Sequence, residues 1–190
     1  MSINLNKGGR VNLTKEVPNL NKIKMGLGWD TNRSDTGSSF DLDGSVFLVD
    51  RNGKTTEEKN FIFYNNLQSA DSSVRHTGDN LTGEGEGDDE QVLVDLLRVS
   101  SDIQEIVFVV TIHEAEQRRQ NFGQVSNSII RLVNDESNQE ILRYELDEDY
   151  STETAIEFGK LYRKDDTWRF QAVGTGYNAG LQGFVDKYMV

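Results

Sequence analysis

The chain has 190 residues, enough for one domain with a sizeable core, and its 32 acidic residues against 20 basic ones give a formal charge of −12. This balance argues against a nucleic-acid surface, because phosphate backbones are bound by clustered Lys and Arg, and it disfavours anionic membranes. The absence of cysteine excludes disulfides, thiolate catalysis and Cys-ligated zinc.

The N-terminus has no apolar signal core, and no apolar run is long enough to span a bilayer. We therefore expect a cytoplasmic protein with no direct membrane insertion. We see no internal repeat and no linker, and we expect a single domain over residues 1–190.

Short apolar stretches, broken by Gly, Asn and Asp, recur along the chain. The alternation through residues 22–29 is typical of a half-buried strand. Residues 92–97 and 106–112 are the most apolar stretches, and we expect them to be central strands. Further strands are predicted at residues 3–5, 11–13, 40–49, 61–64, 129–133, 140–146, 155–163 and 168–173.

Helical patterns are few, with candidates at residues 114–120 and 178–188. So many short strands separated by turn residues predict a mainly β fold, a β-sandwich of antiparallel sheets with a few short helices. An α+β arrangement, in which the strands pair with one helix, is the alternative. Residues 174–179 imitate a dinucleotide fingerprint, but no strand follows them, and we interpret them as a tight turn before the last helix.

Within the stretch at residues 71–90, residues 78–90 combine six carboxylates with four interspersed glycines. Glycine lets the backbone turn through positive φ, so this segment can aim many oxygens inward. Two carboxylates about 4 Å apart repel by roughly 4 kcal/mol at an effective dielectric near 20, so a compact loop needs a cation. Calcium suits a flexible cage of oxygen ligands. The alternative is a solvated, mobile acidic loop.

The acidic stretch does not have the EF-hand spacing, because Leu81 and Gly83 fall at ligand positions and Glu84 falls where that motif needs glycine. Asp41 and Asp43 are two apart on a predicted strand and share a face, and Asp30 follows a strand end. These three aspartates either add metal ligands or simply face solvent. We find no nucleophile elbow beside either histidine.

Several motifs together resemble the TerD family of tellurium-resistance and stress-response proteins, and they cover nearly the whole chain in order. They are Gly-Leu-Gly-Trp-Asp at 26–30, Phe-Asp-Leu-Asp at 40–43, Phe-Tyr-Asn-Asn-Leu at 63–67, Gly-Asp-Asn-Leu-Thr-Gly at 78–83, Gly-Asp-Asp-Glu at 87–90, and the stretches at 120–125, 161–163 and 174–177. One departure is Ser72, since the family often has glycine after the aspartate at that position.

The resemblance implies a cytoplasmic bacterial β-sandwich that binds two calcium ions and acts in tellurite resistance and chemical stress without a known catalytic activity. Our first hypothesis is therefore a calcium-binding, non-enzymatic scaffold or sensor with protein partners in a stress-response complex and no nucleic acid. The predicted metal ligands are Asp71, Asp79, Asp88, Asp89 and Glu90, the carbonyls near Val74 and His76, and Asp30, Asp41 and Asp43 at a second site.

Two other functions remain open at this stage. A metal-dependent hydrolase would use the acidic cluster to position ions that activate water. A calcium-dependent sugar-binding module is a third possibility, which the lack of a secretion signal weakens.

Overall fold

The computed structural model describes residues 2–31, 40–78, 88–146 and 150–190, and it contains two six-stranded sheets that face each other. In spatial order the first sheet is β1 (Ile3–Leu5), β10 (Gln139–Glu145), β9 (Val125–Asn134), β3 (Lys22–Thr31), β7 (Glu90–Asp95) and β6 (Val74–His76). The second is β2 (Arg10–Asn12), β12 (Thr167–Tyr177), β11 (Ala155–Lys164), β8 (Glu105–Ile112), β4 (Leu42–Val49) and β5 (Phe61–Ile62).

The two sheets enclose a core built by alternating residues. Ile23, Met25 and Leu27 point inward from β3, where they meet inward residues of β8 such as Phe108. The described strand pairs are antiparallel, apart from β1 and β10, which run parallel. The fold is therefore a β-sandwich, and the prediction from the sequence is confirmed.

The outer face of the second sheet is covered by the C-terminal helix. The described helices are α1 (Leu13–Glu16), α2 (Ala115–Arg118) and α3 (Gly180–Tyr188). Phe184 and Tyr188 of α3 pack on Phe47, Val107 and Val109. Strand β8 is therefore buried on both faces, which explains its nearly unbroken apolar sequence.

One ion pair ties the end of α3 to the sheet below it. The Lys187 ammonium lies 2.7 Å from the Glu157 carboxylate and 3.0 Å from the Tyr177 hydroxyl. Burial by itself lowers the pKa of Lys187, but the hydrogen bonds to Glu157 and Tyr177 outweigh it and raise the pKa above its usual value. The charged form of Lys187 therefore holds the helix in place.

The structure departs from the sequence predictions in three places. Leu13 does not extend a strand but begins α1, because the Asn12 side chain caps that helix by accepting the Lys15 N–H (3.1 Å). Residues 71–90 are not one loop, since they include β6. The turn predicted at residues 174–179 is wrong for residues 174–177, which continue β12.

Gly174 shows why the glycines near the end of β12 belong to a strand. Its φ is +63°, and a Cβ there would clash with the Tyr144 hydroxyl, so the position requires glycine for a close approach between the sheets. Within the described ranges, no helix combines the length and apolar character needed to cross a membrane.

The buried contact of α3 predicts a large loss of stability in Phe184→Ala. Phe184 is 1% exposed, and truncating a buried Phe removes apolar burial and leaves a cavity. We expect the free energy of unfolding to fall by about 3–5 kcal/mol, measured by urea denaturation. Leu97→Ala is the control, because Leu97 is 76% exposed and its loss leaves no cavity. Equal stability of the two variants would show that α3 does not pack as described.

Candidate functional site

An acidic corner forms where β7 begins beside the end of β3 and the end of β6. The register pairs Leu27 with Glu90 and His76 with Val92, so both neighbouring strands meet the Asp88–Asp89–Glu90 sequence. Strand β7 begins at Glu90, so Asp88 and Asp89 precede its regular alternation of faces. The three adjacent carboxylates therefore reach three different surroundings.

Asp88 lies on the outer face of the first sheet, over Gly26, where a Cβ would clash with its carboxylate. Its side chain is 4% exposed, with Oδ1 2.5 Å from Arg131 Nε and Oδ2 3.3 Å from Gln91 Nε2. The hydrogen bond from Arg131 to Asp88 raises the pKa of the guanidinium. Arg131 also pairs with Glu140 at 3.6 Å, which extends the charge network toward β10.

Glu90 points the other way, into the space between the two sheets, and is 2% exposed. Its Oε2 accepts the backbone N–H of Gly44 in β4 at 2.6 Å and lies 3.2 Å from His76 Nε2. Gly78 donates its N–H to His76 Nδ1 at 3.0 Å, so Nδ1 carries no proton and Nε2–H donates to Glu90. The buried carboxylate is therefore held by one donor from each sheet.

Asp89 lies beside the negative charges of two neighbouring aspartates. Its Oδ2 accepts the Trp29 N–H at 2.8 Å. Burial raises the pKa of Asp89, and the negative charges of Asp30 and Asp88 raise it further, while the Trp29 hydrogen bond lowers it less. Since the folded-state pKa exceeds the unfolded one, the contribution of Asp89 to stability falls as pH rises through that interval. The ionised corner is thus short of positive charge at neutral pH.

Asp30 completes the described part of this corner. It is an exposed residue near the end of β3, and its Oδ2 accepts a 2.6 Å hydrogen bond from the Asn127 side chain. Together, four residues form the acidic corner: Asp30, Asp88, Asp89 and Glu90.

Two of the predicted ligands lie at the opposite end of β7. Val74 pairs with Val94, about four residues or roughly 13 Å along the strand from Glu90. The Val74 carbonyl accepts the Ser69 N–H at 2.9 Å. The structure therefore does not bring Val74, or the neighbouring Asp71, to the acidic corner.

The Asp71 carboxylate is hydrogen-bonded within its own loop and to the turn after β7. It accepts from the Ser69 hydroxyl (2.7 Å), the Ser73 N–H (2.9 Å) and hydroxyl (2.6 Å), and the Ser100 N–H (2.9 Å). Burial raises its pKa, but these hydrogen bonds outweigh it and lower the pKa below the usual value. Ser72 sits at φ +58°, so the left-handed turn that favours glycine is kept with serine.

Asp41 and Asp43 belong to a different surface. Asp43 Oδ2 lies 3.8 Å from His113 Nδ1, and both residues line a groove of about 400 Å³ beside the N-terminal end of α3. The Asp41 carbonyl accepts the His113 N–H at 2.8 Å. Because this groove lies beside α3 on the outer face of the second sheet, the Asp43 side chain points away from Glu90, which lies between the sheets.

Asp79 and the other acidic residues of 79–87 lie outside the described residues. Among the residues that are described, no group of three or more His, Asp or Glu side chains is placed to hold a metal ion. Asp30 and Asp89 fit a hard cation by the chemistry of their carboxylate oxygens and by their closeness to other negative charges. A calcium cage at this corner would need further oxygens from 79–87.

Three features of the site were missed by sequence reasoning. Arg131 comes from a distant strand, and nothing in its local sequence marks it as the partner of Asp88. Gly26 and Gly44 make room for Asp88 and Glu90, respectively. Glycine inside a strand often marks the close approach of another group, and this signal was available in the sequence.

The architecture and the acidic corner define a class of acidic β-sandwich proteins, and comparisons with known proteins identify the family. The TerD domain model matches residues 1–188, so this chain belongs to the TerD family. It is 55% identical over 188 residues to general stress protein 16U of Bacillus subtilis, covering 99% of this chain and 97% of that protein. Tellurium resistance protein TerD of Serratia marcescens has the same identity and coverage.

Solved structures show the same fold at lower identity. A homologue of telluride resistance protein TerD from Streptomyces coelicolor A3(2) superposes with a TM-score of 0.71 at 20% identity, covering 87% of this chain and 95% of that one. A protein of unknown function gives a TM-score of 0.69 at 22% identity, with 87% and 94% coverage. These two structures support the sandwich architecture alone.

Alanine substitutions at two neighbouring positions of β4 should change the stability of the protein in opposite directions. In Gly44→Ala the new methyl group would clash with the Glu90 carboxylate and meet Leu27 Cδ1 at 2.8 Å, so we expect a loss of about 1–3 kcal/mol. Ser45→Ala removes a buried hydroxyl that has no hydrogen-bond partner within the described ranges, so we expect a gain of up to about 1 kcal/mol.

Urea denaturation of both variants checks this pair of predictions. Replacing glycine by alanine by itself stabilises a strand by up to about 1 kcal/mol, so a net loss in Gly44→Ala must come from the clash with Glu90. The interpretation of Glu90 fails if Gly44→Ala is as stable as Ser45→Ala.

Proposed function

We propose that this protein is a calcium-binding stress-response protein that contributes to tellurium resistance as a non-enzymatic scaffold or sensor. The stress and tellurium assignment is supported by relatives that are 55% identical over 188 residues and are named for those roles. The calcium assignment is supported by one observation above all, the raised pKa of Asp89 beside the charges of Asp30 and Asp88.

A bound cation would relieve the electrostatic cost of this corner. Carboxylate oxygens are hard ligands, and calcium accepts six to eight of them in irregular arrangements. We assign Asp89 and Asp30 as the described residues that would contact the ion, with acidic residues of 79–87 supplying the rest. Asp88 already accepts from Arg131 and Gln91, and Glu90 accepts from Gly44 and His76, so these two carboxylates anchor the corner instead.

The non-enzymatic role is supported by what the histidine of the corner does. His76 is 3% exposed, and both of its ring nitrogens are used in hydrogen bonds with Gly78 and Glu90. A general base needs access to a substrate proton, which this buried ring lacks. Calcium would supply charge neutralisation there, giving partners a surface whose charge depends on the ion.

The proposal predicts that calcium raises thermal stability. After EDTA treatment and dialysis, adding calcium at about 100 times its Kd should stabilise the protein by about 2.7 kcal/mol, because the ion binds the folded state. In Asp89→Asn the calcium response should be largely lost, while the calcium-free melting temperature should rise or stay unchanged. The amide oxygen still accepts the Trp29 N–H, and one repelling charge is gone.

Asp102→Asn is the matched control, because Asp102 is exposed and belongs to the turn before β8. It should keep the full calcium response, measured by differential scanning calorimetry. Calcium binding at this corner is excluded if the parent protein shows no shift, or if Asp89→Asn responds as strongly as the control.

The stress role predicts a phenotype in the organism that carries the gene. Deletion should lower the tellurite concentration that permits growth, and a plasmid copy of the parent chain should restore it. Asp89→Asn, expressed at the same level, should restore growth less well than Asp102→Asn. Full rescue by Asp89→Asn would separate resistance from the acidic corner, and equal growth without the gene would remove the tellurium assignment.

A further inference from the structure

A second polar groove lies at the end of β7 opposite the acidic corner. It has a volume of about 280 Å³ and is floored by Leu93 on the outer side of the first sheet. Three basic side chains from three separate elements line it: Lys22 at the start of β3, Arg75 in β6, and Arg98 in the turn after β7. In a chain with a net charge of −12, this groove gathers positive charge.

In the part of the chain that the structure describes, these three cations form no ion pair with a carboxylate. Within the described residues, no Asp or Glu oxygen lies within ion-pair distance of Lys22, Arg75 or Arg98. Arg98 donates only a long hydrogen bond, 3.4 Å, to the Asp71 carbonyl. By contrast, Arg131 on the same face of the sheet pairs with Asp88. The positive charge of the groove therefore remains available to a ligand.

The groove also offers neutral donors and some negative charge. Ser72 and Gln68 line its wall, and their side chains can donate a hydroxyl and an amide hydrogen. Asp95 and Asp135 line it as well, so three cations stand against two carboxylates. The Asp95 Oδ1 atom accepts the Leu97 N–H at 3.2 Å. This balance favours a compact anion of modest affinity over a polyanion, which the net charge of the chain would repel.

We propose that this groove, formed by Lys22, Arg75 and Arg98, binds a small doubly charged oxyanion of the phosphate type. Planar guanidinium groups donate two parallel hydrogen bonds to such oxygens, and lysine adds a mobile point charge. The two arginines come from different elements, so an anion between them would link β6 to the turn that follows β7. The site is separate from the acidic corner and does not depend on calcium.

Titration with inorganic phosphate, followed by two-dimensional amide NMR in EDTA, tests the proposal. Ionic strength is held constant with sodium chloride, and EDTA prevents calcium from bridging the anion to carboxylates. Saturable shifts should concentrate at the amides of Ser72, Ser73, Arg75 and Arg98. Arg75→Gln and Arg98→Gln should each raise Kd at least about fivefold, since each removes a charge-assisted contact.

Two further variants test whether the charge of the groove sets the phosphate affinity and whether binding is confined to the groove. Asp95→Asn keeps the acceptor for the Leu97 N–H and removes a repelling charge, so Kd should fall about twofold or more. Arg51→Gln, at an exposed position in the turn after β4, should leave Kd unchanged. The proposal is overturned if phosphate causes no saturable shifts, or if Arg75→Gln and Arg98→Gln bind as tightly as Arg51→Gln.

Discussion

The sandwich depends at one end on a buried carboxylate that joins its two sheets. Glu90 belongs to the first sheet, yet its closest donor, at 2.6 Å, is the backbone N–H of Gly44 in the second. The second donor, His76, is fixed in one tautomer by Gly78. A buried charge is tolerated only when its hydrogen bonds are complete, and removing one partner from such a group typically costs about 3–5 kcal/mol. This arrangement fixes where β7 begins, and so fixes the acidic corner.

From that fixed point, the chain just before β7 departs from strand alternation, which would place Asp88 and Glu90 on the same face. Glu90 enters the core, and Asp88 crosses the outer face toward Arg131, so neither repels the other at short range. Asp89 is left between Asp88 and Asp30 with its pKa raised. Each of the three neighbouring carboxylates thus has at least one protein donor in the described structure. The acidic corner lies at one end of β7, while the far end carries the basic groove.

The fold was largely predictable from the sequence, because alternation and turn residues act locally. The sequence of β8 is almost entirely apolar because both faces of this strand are covered. The error at residues 174–177 arose where a distant contact overrides the local pattern, whereas the error at Leu13 came from the local Asn12 cap. Gly174 and Gly176 look like turn residues, but they are strand residues that allow Tyr144 and Tyr150 to approach closely. Asp71 looks like a metal ligand by its proximity in sequence, yet its carboxylate is occupied by serine donors on its own loop and on the turn after β7.

The candidate site was predictable in kind but not in geometry, and the difference bears on how a sensor of this type would work. Composition identifies the crowded carboxylates, but only the fold shows that Asp89 lies near enough to Asp30 for the charge of Asp30 to raise its pKa. A corner whose negative charge destabilises the ion-free protein gains more from cation binding than one already neutralised by lysine or arginine. On the proposed function, the electrostatic repulsion at Asp89 is therefore the source of the calcium response, while Glu90 stays hydrogen-bonded between the two sheets.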